Sequence, residues 1–268
     1  MQQKNKSAIK LLSVIVPAYK QEKTIVTDVK NIESELKTMH HPYEILVVID
    51  GHADNTYTQI KSFRSRDVKV LTYDKNQGKG HAVRYGMLRA RGDVIGTLDA
   101  GMDLNPKGLR ILLDDFQKYN ADIVIGSKRH PLSKVNYPLK RKIISFLSQK
   151  LIKLLFGLNV TDTQVGMKFF RRNVIKAVLP RLLVKKFAFD IEILSVAYHL
   201  GYTKIYEAPV ELNYNFKGSI LSQNILNALF YTLWDTCAVF YRLKIIHYYD
   251  RKKKIKQKTI PKLNVIVS

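Results

Sequence analysis

The chain has 268 residues, 46% of them hydrophobic, and a formal net charge of +23. That length allows one large domain or two small ones, and that apolar content excludes a disordered chain. The single cysteine, Cys237, excludes a disulfide framework and a cysteine metal cluster, and it fits a reducing compartment.

The first ten residues are polar and read as a frayed end, and the apolar run after them is too short for a secretory signal. Leu11 to Val16 is short, apolar and rich in β-branched residues, the pattern of a buried parallel strand. Lys20 to Met39 has helical spacing, with Ile25, Val29, Ile32 and Leu36 three or four apart. Tyr43 to Ile49 is a second strand, Asp54 caps a helix through Phe63, and Asp67 to Tyr73 is a third strand.

The stretch Asn76 to Asp103 organises what surrounds it. Gly78 and Gly80 flank Lys79, so backbone can approach a ligand while a cation points at it. A helix from Lys79 to Ala90 sets Ala82, Gly86 and Ala90 on one small stripe, and Gly92 ends it. Val94 to Leu98 is a strand, and Asp99 and Asp103 follow at its carboxyl end, where open α/β sheets bind ligands. Two carboxylates in such a turn can hold a divalent cation against a diphosphate; an ordinary acidic surface turn accounts for this stretch equally well. Pro106 starts a helix to Tyr119, and Ala121 to Ser127 is a fifth strand. Strand–helix alternation of this kind predicts an α/β fold with a doubly wound, mainly parallel sheet.

After Lys128 the character changes. Between Lys128 and Lys186 there are 15 Lys or Arg and one acid, Asp162, and Arg251 to Lys258 adds six cations. Such charge implies an anionic partner: a nucleotide, a nucleic acid or an anionic membrane. Leu139 to Phe156 is a basic amphipathic helix. Leu139, Ile143, Phe146, Leu147, Leu151, Leu154 and Leu155 form its apolar face, and Gly157 closes it. Two placements fit, a helix packed on the core and a helix lying in a membrane interface; the pattern alone leans to the core. Asn173 to Leu179 and Asp190 to Leu200 read as helices, and Thr203 to Leu212 as a strand. Ser219 to Leu243 is apolar with a narrow polar stripe. Its uncharged run, Gly218 to Trp234, is 17 residues, at the lower limit for a span. A helix packed on the domain or lying in the interface is expected there.

VIVPAYKQEKTI, VVIDGHADNT, NQGKGHAVRYGM, GDVIGTLDAGMD and DTQVGMKFFRR together resemble the family 2 glycosyltransferases of the GT-A fold, most of all the polyprenyl- or dolichyl-phosphate sugar synthases. The likeness covers residues 11–250. It implies a glycosyltransferase domain over 11–217, with a nucleotide-sugar half (11–127) and an acceptor half (128–217). An interfacial C-terminal helix (218–250) and a basic tail (251–268) follow. It also implies a nucleotide-sugar donor of the UDP-glucose or GDP-mannose type, and Mg2+ or Mn2+ as cofactor. The acceptor would be a polyprenyl or dolichyl phosphate, and the protein would sit at the cytoplasmic face of a membrane, peripheral or interfacial on its anionic surface, without a span.

By the same resemblance, Pro17, Tyr19 and Glu22 match the first nucleotide-binding segment. Asp50 matches the second Asp of an Asp-Asp-Gly turn whose first Asp is replaced here by Ile49. Lys79 matches the cation of the Gly-rich loop, and Lys217 a C-terminal cation that closes over the diphosphate. Asp99 and Gly101 fall on the two positions of the Asp-x-Asp signature, so the second carboxylate is missing, and Asp103 matches a further metal-side position. Lys128, Arg141 and Ser145 match positions that hold a lipid phosphate, the latter two one helical turn apart. Asp162, Gln164 and Lys168 lie in the acceptor loop. Asp190 matches an acidic site-lining position, and an N-cap of the following helix is an equal reading.

An ionised phosphate acceptor needs cations to position it and no strong base. A sugar-hydroxyl acceptor would need one, with Asp190 or Asp162 as candidates. Two alternatives therefore stand beside the lipid-phosphate transferase: an enzyme acting on a glycan or protein hydroxyl, and a non-catalytic anion binder. With no nucleic-acid motif in the chain, nucleic acid is not expected as a partner.

Overall fold

The computed structural model describes residues 9–135, 139–212 and 225–250. Lys217, the first residues of the expected 218–250 helix and the basic tail therefore lie outside the described residues, as do residues 1–8 of the expected frayed end. Ile9 is buried, and the Lys10 and Leu11 amides donate to Asp93 Oδ1 at 3.1 and 2.8 Å, so the chain is tied down from there.

The core begins with β1 (Leu12–Ala18), buried along its whole length. It pairs in parallel with β2 (Tyr43–Asp50) on one side and β4 (Val94–Thr97) on the other, and β2 pairs in parallel with β3 (Val68–Tyr73). Among the described residues seven strands form one sheet, ordered β3-β2-β1-β4-β6-β5-β7, with β5 at Ile123–Ser127, β6 at Lys168–Arg171 and β7 at Ile205–Pro209. β6 runs antiparallel between β4 and β5, while β5 and β7 pair in parallel. The expected mainly parallel, doubly wound sheet is present, and β6 joins the two halves of the chain into it.

Helices cover both faces. α1 (Ile25–Lys37) buries Ile25, Val29, Ile32 and Leu36, the spacing expected of it, but it starts later than Lys20 because residues 21–24 form a turn. It shares one core with α4 (Gly108–Lys118) and the short α2 (Thr56–Lys61). The other face carries α3 (Lys79–Met87), α6 (Arg172–Val178) and α7 (Phe189–His199), with the ends of α5 (Leu139–Phe156) and α8 (Ile225–Phe240). The small stripe on α3 serves close packing: a Cβ on Gly86 would lie 2.7 Å from the Ile15 side chain. Gly92 does not end this helix, which stops at Met87. Gly92 instead sits where an added Cβ would meet Leu11 O and Ser13 N at 2.6 Å, so it is required by the approach of β1.

α5 has the expected bounds, but only part of its expected apolar face meets the protein. Gln149, Ile152 and Phe156 face the protein, and Gln149 exchanges hydrogen bonds with Thr163. Phe146, Leu147 and Leu154 point outward, Leu154 with 81% of its surface exposed. Leu155 packs against the core and Leu151 is half-buried, so the core placement favoured by the pattern holds for the second half of the helix, while Phe146, Leu147 and Leu154 of the same expected face stay uncovered. α8 is similar: Val239 and Thr236 are buried, while Phe230 (63%) and Trp234 (67%) are exposed. The two helices meet where the Phe156 and Phe240 rings lie edge to face. Among the described residues no helix is long and apolar enough to cross a membrane.

Candidate active site

The carboxyl ends of β1, β2 and β4 bring three segments together, as the topology requires. Pro17 is buried in β1, and its carbonyl accepts the Ala100 amide at 3.5 Å, which ties the end of β1 to the Asp99 turn. Tyr19 is half-buried just beyond the strand. Glu22 accepts the Asn55 amide at 3.1 Å and donates its own amide to Asp54, closing this loop onto the one after β2.

Asp50 is buried and fully engaged within the protein. It accepts from Tyr73 OH (2.8 Å), Asn76 Nδ2 (3.1 Å) and the amides of Gln77 (2.7 Å) and Gly78 (3.0 Å). Its carboxylate therefore shapes the Gly-rich loop. The two glycines of that loop admit protein backbone first: a Cβ on Gly78 would lie 2.7 Å from Lys185 O, and one on Gly80 would fall on the Phe189 ring.

From this loop Lys79 reaches Asp99 Oδ2 at 2.8 Å and Asp190 Oδ2 at 3.5 Å. The other oxygen of Asp190 lies 2.6 Å from Lys168 Nζ, which also donates to Val165 O. Four side chains from four segments thus alternate in charge and sum to zero: Asp99, Lys79, Asp190, Lys168. Lys168 is 1% exposed, and a cation so buried must be paired. Burial acts against ionisation of Asp190, but Lys168 and Lys79 outweigh it and hold the carboxyl below its ordinary value. Burial likewise opposes the charge of Lys79, and Asp190 and Asp99 push its pKa above the usual lysine value. Lys168 is pulled below that value by burial, with Asp190 opposing. Asp190 is not an N-cap, because Ala188 occupies that position and the carboxylate is used on the lysines.

The Asp99 turn can receive a metal ion. Asp99 Oδ1 is buried with no hydrogen-bond partner, an oxygen left with a lone pair to satisfy. Asp103 is exposed nearby; partial desolvation, then Asp99 and Asp28, hold its carboxyl above the ordinary range. Among the described residues no three acidic, His or Cys side chains converge as a full ligand set. A magnesium-like ion bound mainly by diphosphate oxygens and water needs only one or two carboxylates, so the residues fit such an ion. Gly101 has φ +98°, a conformation that L side chains avoid, and its amide donates to Asp28 Oδ2 at 2.9 Å. The turn is built for glycine here, with Asp28 holding it from α1.

Among the residues expected to hold an acceptor, Lys128 Nζ lies 2.9 Å from Asp162 Oδ2, and Asp162 also accepts the amides of Lys128 and Gln164. Ser145 accepts from Arg129 Nη2 at 2.8 Å. α5 places Arg141 one turn before Ser145. Lys168 does not join this group, since it lies beneath Asp190.

The family model described as Glycosyl transferase family 2 matches residues 13–179. The chain belongs to this family. Among its relatives, a dolichyl-phosphate beta-glucosyltransferase of Trichomonas vaginalis is 32% identical over 75% of this chain and 65% of its own length, less than two thirds of it. The dolichyl-phosphate beta-glucosyltransferase of Homo sapiens is 32% identical over 78% of this chain and 68% of its own. Glucosyl-3-phosphoglycerate synthase from Mycobacterium tuberculosis, crystallised with Mn2+, UDP and phosphoglyceric acid, superposes with a TM-score of 0.62 over 85% of this chain and 78% of that one, at 18% identity. That likeness shows the shared fold, and the expected GT-A architecture stands.

Three residues of this candidate site escaped the motifs. Arg129 follows Lys128 in a basic run that offered no reason to single it out. Asp28 reads as one polar residue on an amphipathic helix. Gly166 sits where an added Cβ would fall on the Asp99 carboxylate. Its signal is its place in the acceptor loop, and the partner lies far away in sequence.

Proposed function

We propose that this protein transfers a hexose from a nucleotide sugar to a polyprenyl or dolichyl phosphate at a membrane surface, with inversion at the anomeric carbon. The observation that carries this reading is the state of the two candidate bases. Asp190 is held by two lysines and Asp162 by Lys128. A carboxylate so neutralised is a poor acceptor of a hydroxyl proton. A phosphate monoester, with a second pKa of roughly 6, arrives already ionised and needs no base. Acceptor repulsion from the donor diphosphate is the larger difficulty, and cations answer it. Lys128, Arg129, Ser145 and Arg141 are the residues for the acceptor phosphate, with Gln164 beside them.

On the donor side Lys79 is the outer of the two lysines in the charge chain, where it would meet a diphosphate, and Lys217 would join it. Pro17, Tyr19, Glu22 and Asp50 shape the pocket for the nucleoside. Asp99 and Asp103 would hold Mg2+ or Mn2+, which supplies charge stabilisation to the departing nucleoside diphosphate. The relatives named dolichyl-phosphate beta-glucosyltransferase favour glucose as the sugar, and UDP-glucose is the donor we propose. The exposed Phe146, Leu147, Leu154, Phe230 and Trp234, beside Lys150 and Lys153, suit contact with an anionic bilayer. Such contact would bring a lipid-borne phosphate to the basic end of α5.

The test is nucleoside diphosphate release from UDP-glucose, GDP-mannose and related donors, each with and without a short polyprenyl phosphate. Release that requires the lipid phosphate is the expected result. Release driven instead by a glycan or peptide hydroxyl would overturn the acceptor assignment.

A further inference from the structure

Glu192 is completely buried, and nothing in the transfer reaction uses it. A buried carboxylate requires donors, and here they come from two distant segments. One oxygen accepts the Val184 amide at 2.9 Å, and both lie 3.0 Å from the Leu183 amide. The other segment is the C-terminal turn: Tyr249 OH donates at 2.6 Å, and Arg242 Nη1 lies 3.6 Å away. Tyr249 is itself 0% exposed, and its carbonyl accepts from Arg181 Nε at 2.8 Å.

Leu183 and Val184 open the loop that presses on the Gly-rich loop. Lys185 O accepts the His81 amide at 3.0 Å, and Leu182 O accepts Arg84 Nη1 at 2.9 Å. Gly78 and Gly80 have no room for a side chain because Lys185 and Phe189 occupy it. Glu192 and Asp190 are two apart on α7, about 200° around the helix axis. One turn of helix therefore faces the charge chain on one side and the C-terminal turn on the other. That turn continues directly from α8, whose outer face is aromatic and exposed.

We propose that Glu192 is a positioning residue: by binding Tyr249 it fixes the 182–189 loop against the Gly-rich loop, so that docking of the C-terminal turn sets how tightly the nucleotide sugar is held. This rests on the reading that the Gly-rich loop meets the donor diphosphate. It makes the segment after α8 part of the donor site without touching the donor.

The experiment titrates UDP and GDP, with Mn2+, into the full chain and into Tyr249→Phe, Glu192→Gln and Glu192→Ala. Tyr249→Phe keeps the ring and removes only the hydroxyl. The bond donated to Glu192 and the longer one accepted from Arg242 Nη1 at 3.3 Å go with it; nucleotide binding should weaken at least about fivefold, the scale of one buried hydrogen bond, and donor KM should rise while acceptor KM holds. Glu192→Gln, which still accepts hydrogen bonds, should fall between wild type and Glu192→Ala. Amide exchange at His81, Leu183 and Val184 should quicken in step. If Glu192→Ala does not fold, Tyr249→Phe decides alone. Unchanged nucleotide affinity in Tyr249→Phe, with wild type binding normally, overturns the link. Absence of binding by wild type to either nucleotide overturns the donor reading itself, and the link with it.

Discussion

Lys168 Nζ lies 2.6 Å from Asp190 Oδ1, and the strand lysine is almost fully buried beneath the helix carboxylate. Removing the negative charge would leave a buried cation with only neutral oxygen partners. Asp190→Asn should therefore cost about 3–5 kcal/mol of folding stability, the scale of breaking a buried pair. Lys168→Met leaves Asp190 paired with Lys79 and should cost less. Urea unfolding of both variants gives the comparison. A larger loss in Lys168→Met would mean that Asp190 is the dispensable member.

Asp190 and its second partner, Lys79, bear on the pH response. The folded-state pKa of Asp190 is depressed below 3.8, so its contribution to stability is present above that value and is lost as pH falls through the folded value. Lys79, raised above 10.5, contributes below that value and loses its contribution only as pH rises through the folded one. Neither titrates between pH 5 and 9. These two groups therefore add no inflection there, and kcat/KM should rise toward a plateau past roughly pH 6 as the acceptor phosphate loses its second proton. A further inflection that vanishes in Asp190→Asn would show the carboxylate working as a base.

Asp99 owes its place to a glycine 67 positions away, because a Cβ on Gly166 would overlap the carboxylate. Gly166→Ala should displace Asp99 and lower turnover on the order of 100-fold, comparable to losing one electrostatic contact in a transition state. Asp99→Asn should be at least as severe. Mn2+ binding, followed by the metal's paramagnetic resonance in the presence of UDP, should weaken in both. Wild-type rates in Gly166→Ala would separate Asp99 from the reaction.

The alternating strands and helices were legible because each buries a face with its own period, and the ends of β1, β2 and β4 then had to share one edge. β6 was not legible. It is four residues long, and it starts with a lysine that pattern reasoning assigns to solvent. Lys168 can sit there because Asp190 covers it, a pairing between elements that no local window contains. α5 misled for the reverse reason. Helical spacing found its apolar residues, but the protein-facing side is centred on Gln149 bonding Thr163, so Leu155 packs inward while Leu147 and Leu154 turn outward. The glycines of the Gly-rich loop read as room for a ligand, whereas Lys185 and Phe189, more than 100 residues on, already fill it.

Those outward residues carry the last prediction. Trp234 is the only tryptophan in the chain and is 67% exposed, so it reports on its own surroundings. Mixing the protein with vesicles containing anionic lipid should shift its emission to the blue, as an indole leaving water does at an interface. Lys150, Lys153 and Lys244 are exposed beside the apolar residues, so binding should weaken with added salt, most steeply on strongly anionic vesicles. Trp234→Ser would remove about 1–2 kcal/mol of apolar burial and lower vesicle affinity on the order of 10-fold. Co-sedimentation with vesicles measures it where the fluorophore is gone. If emission is unmoved by vesicles that do sediment the protein, the cationic surface holds the membrane without α8. The aromatic face would then be covered by something other than lipid.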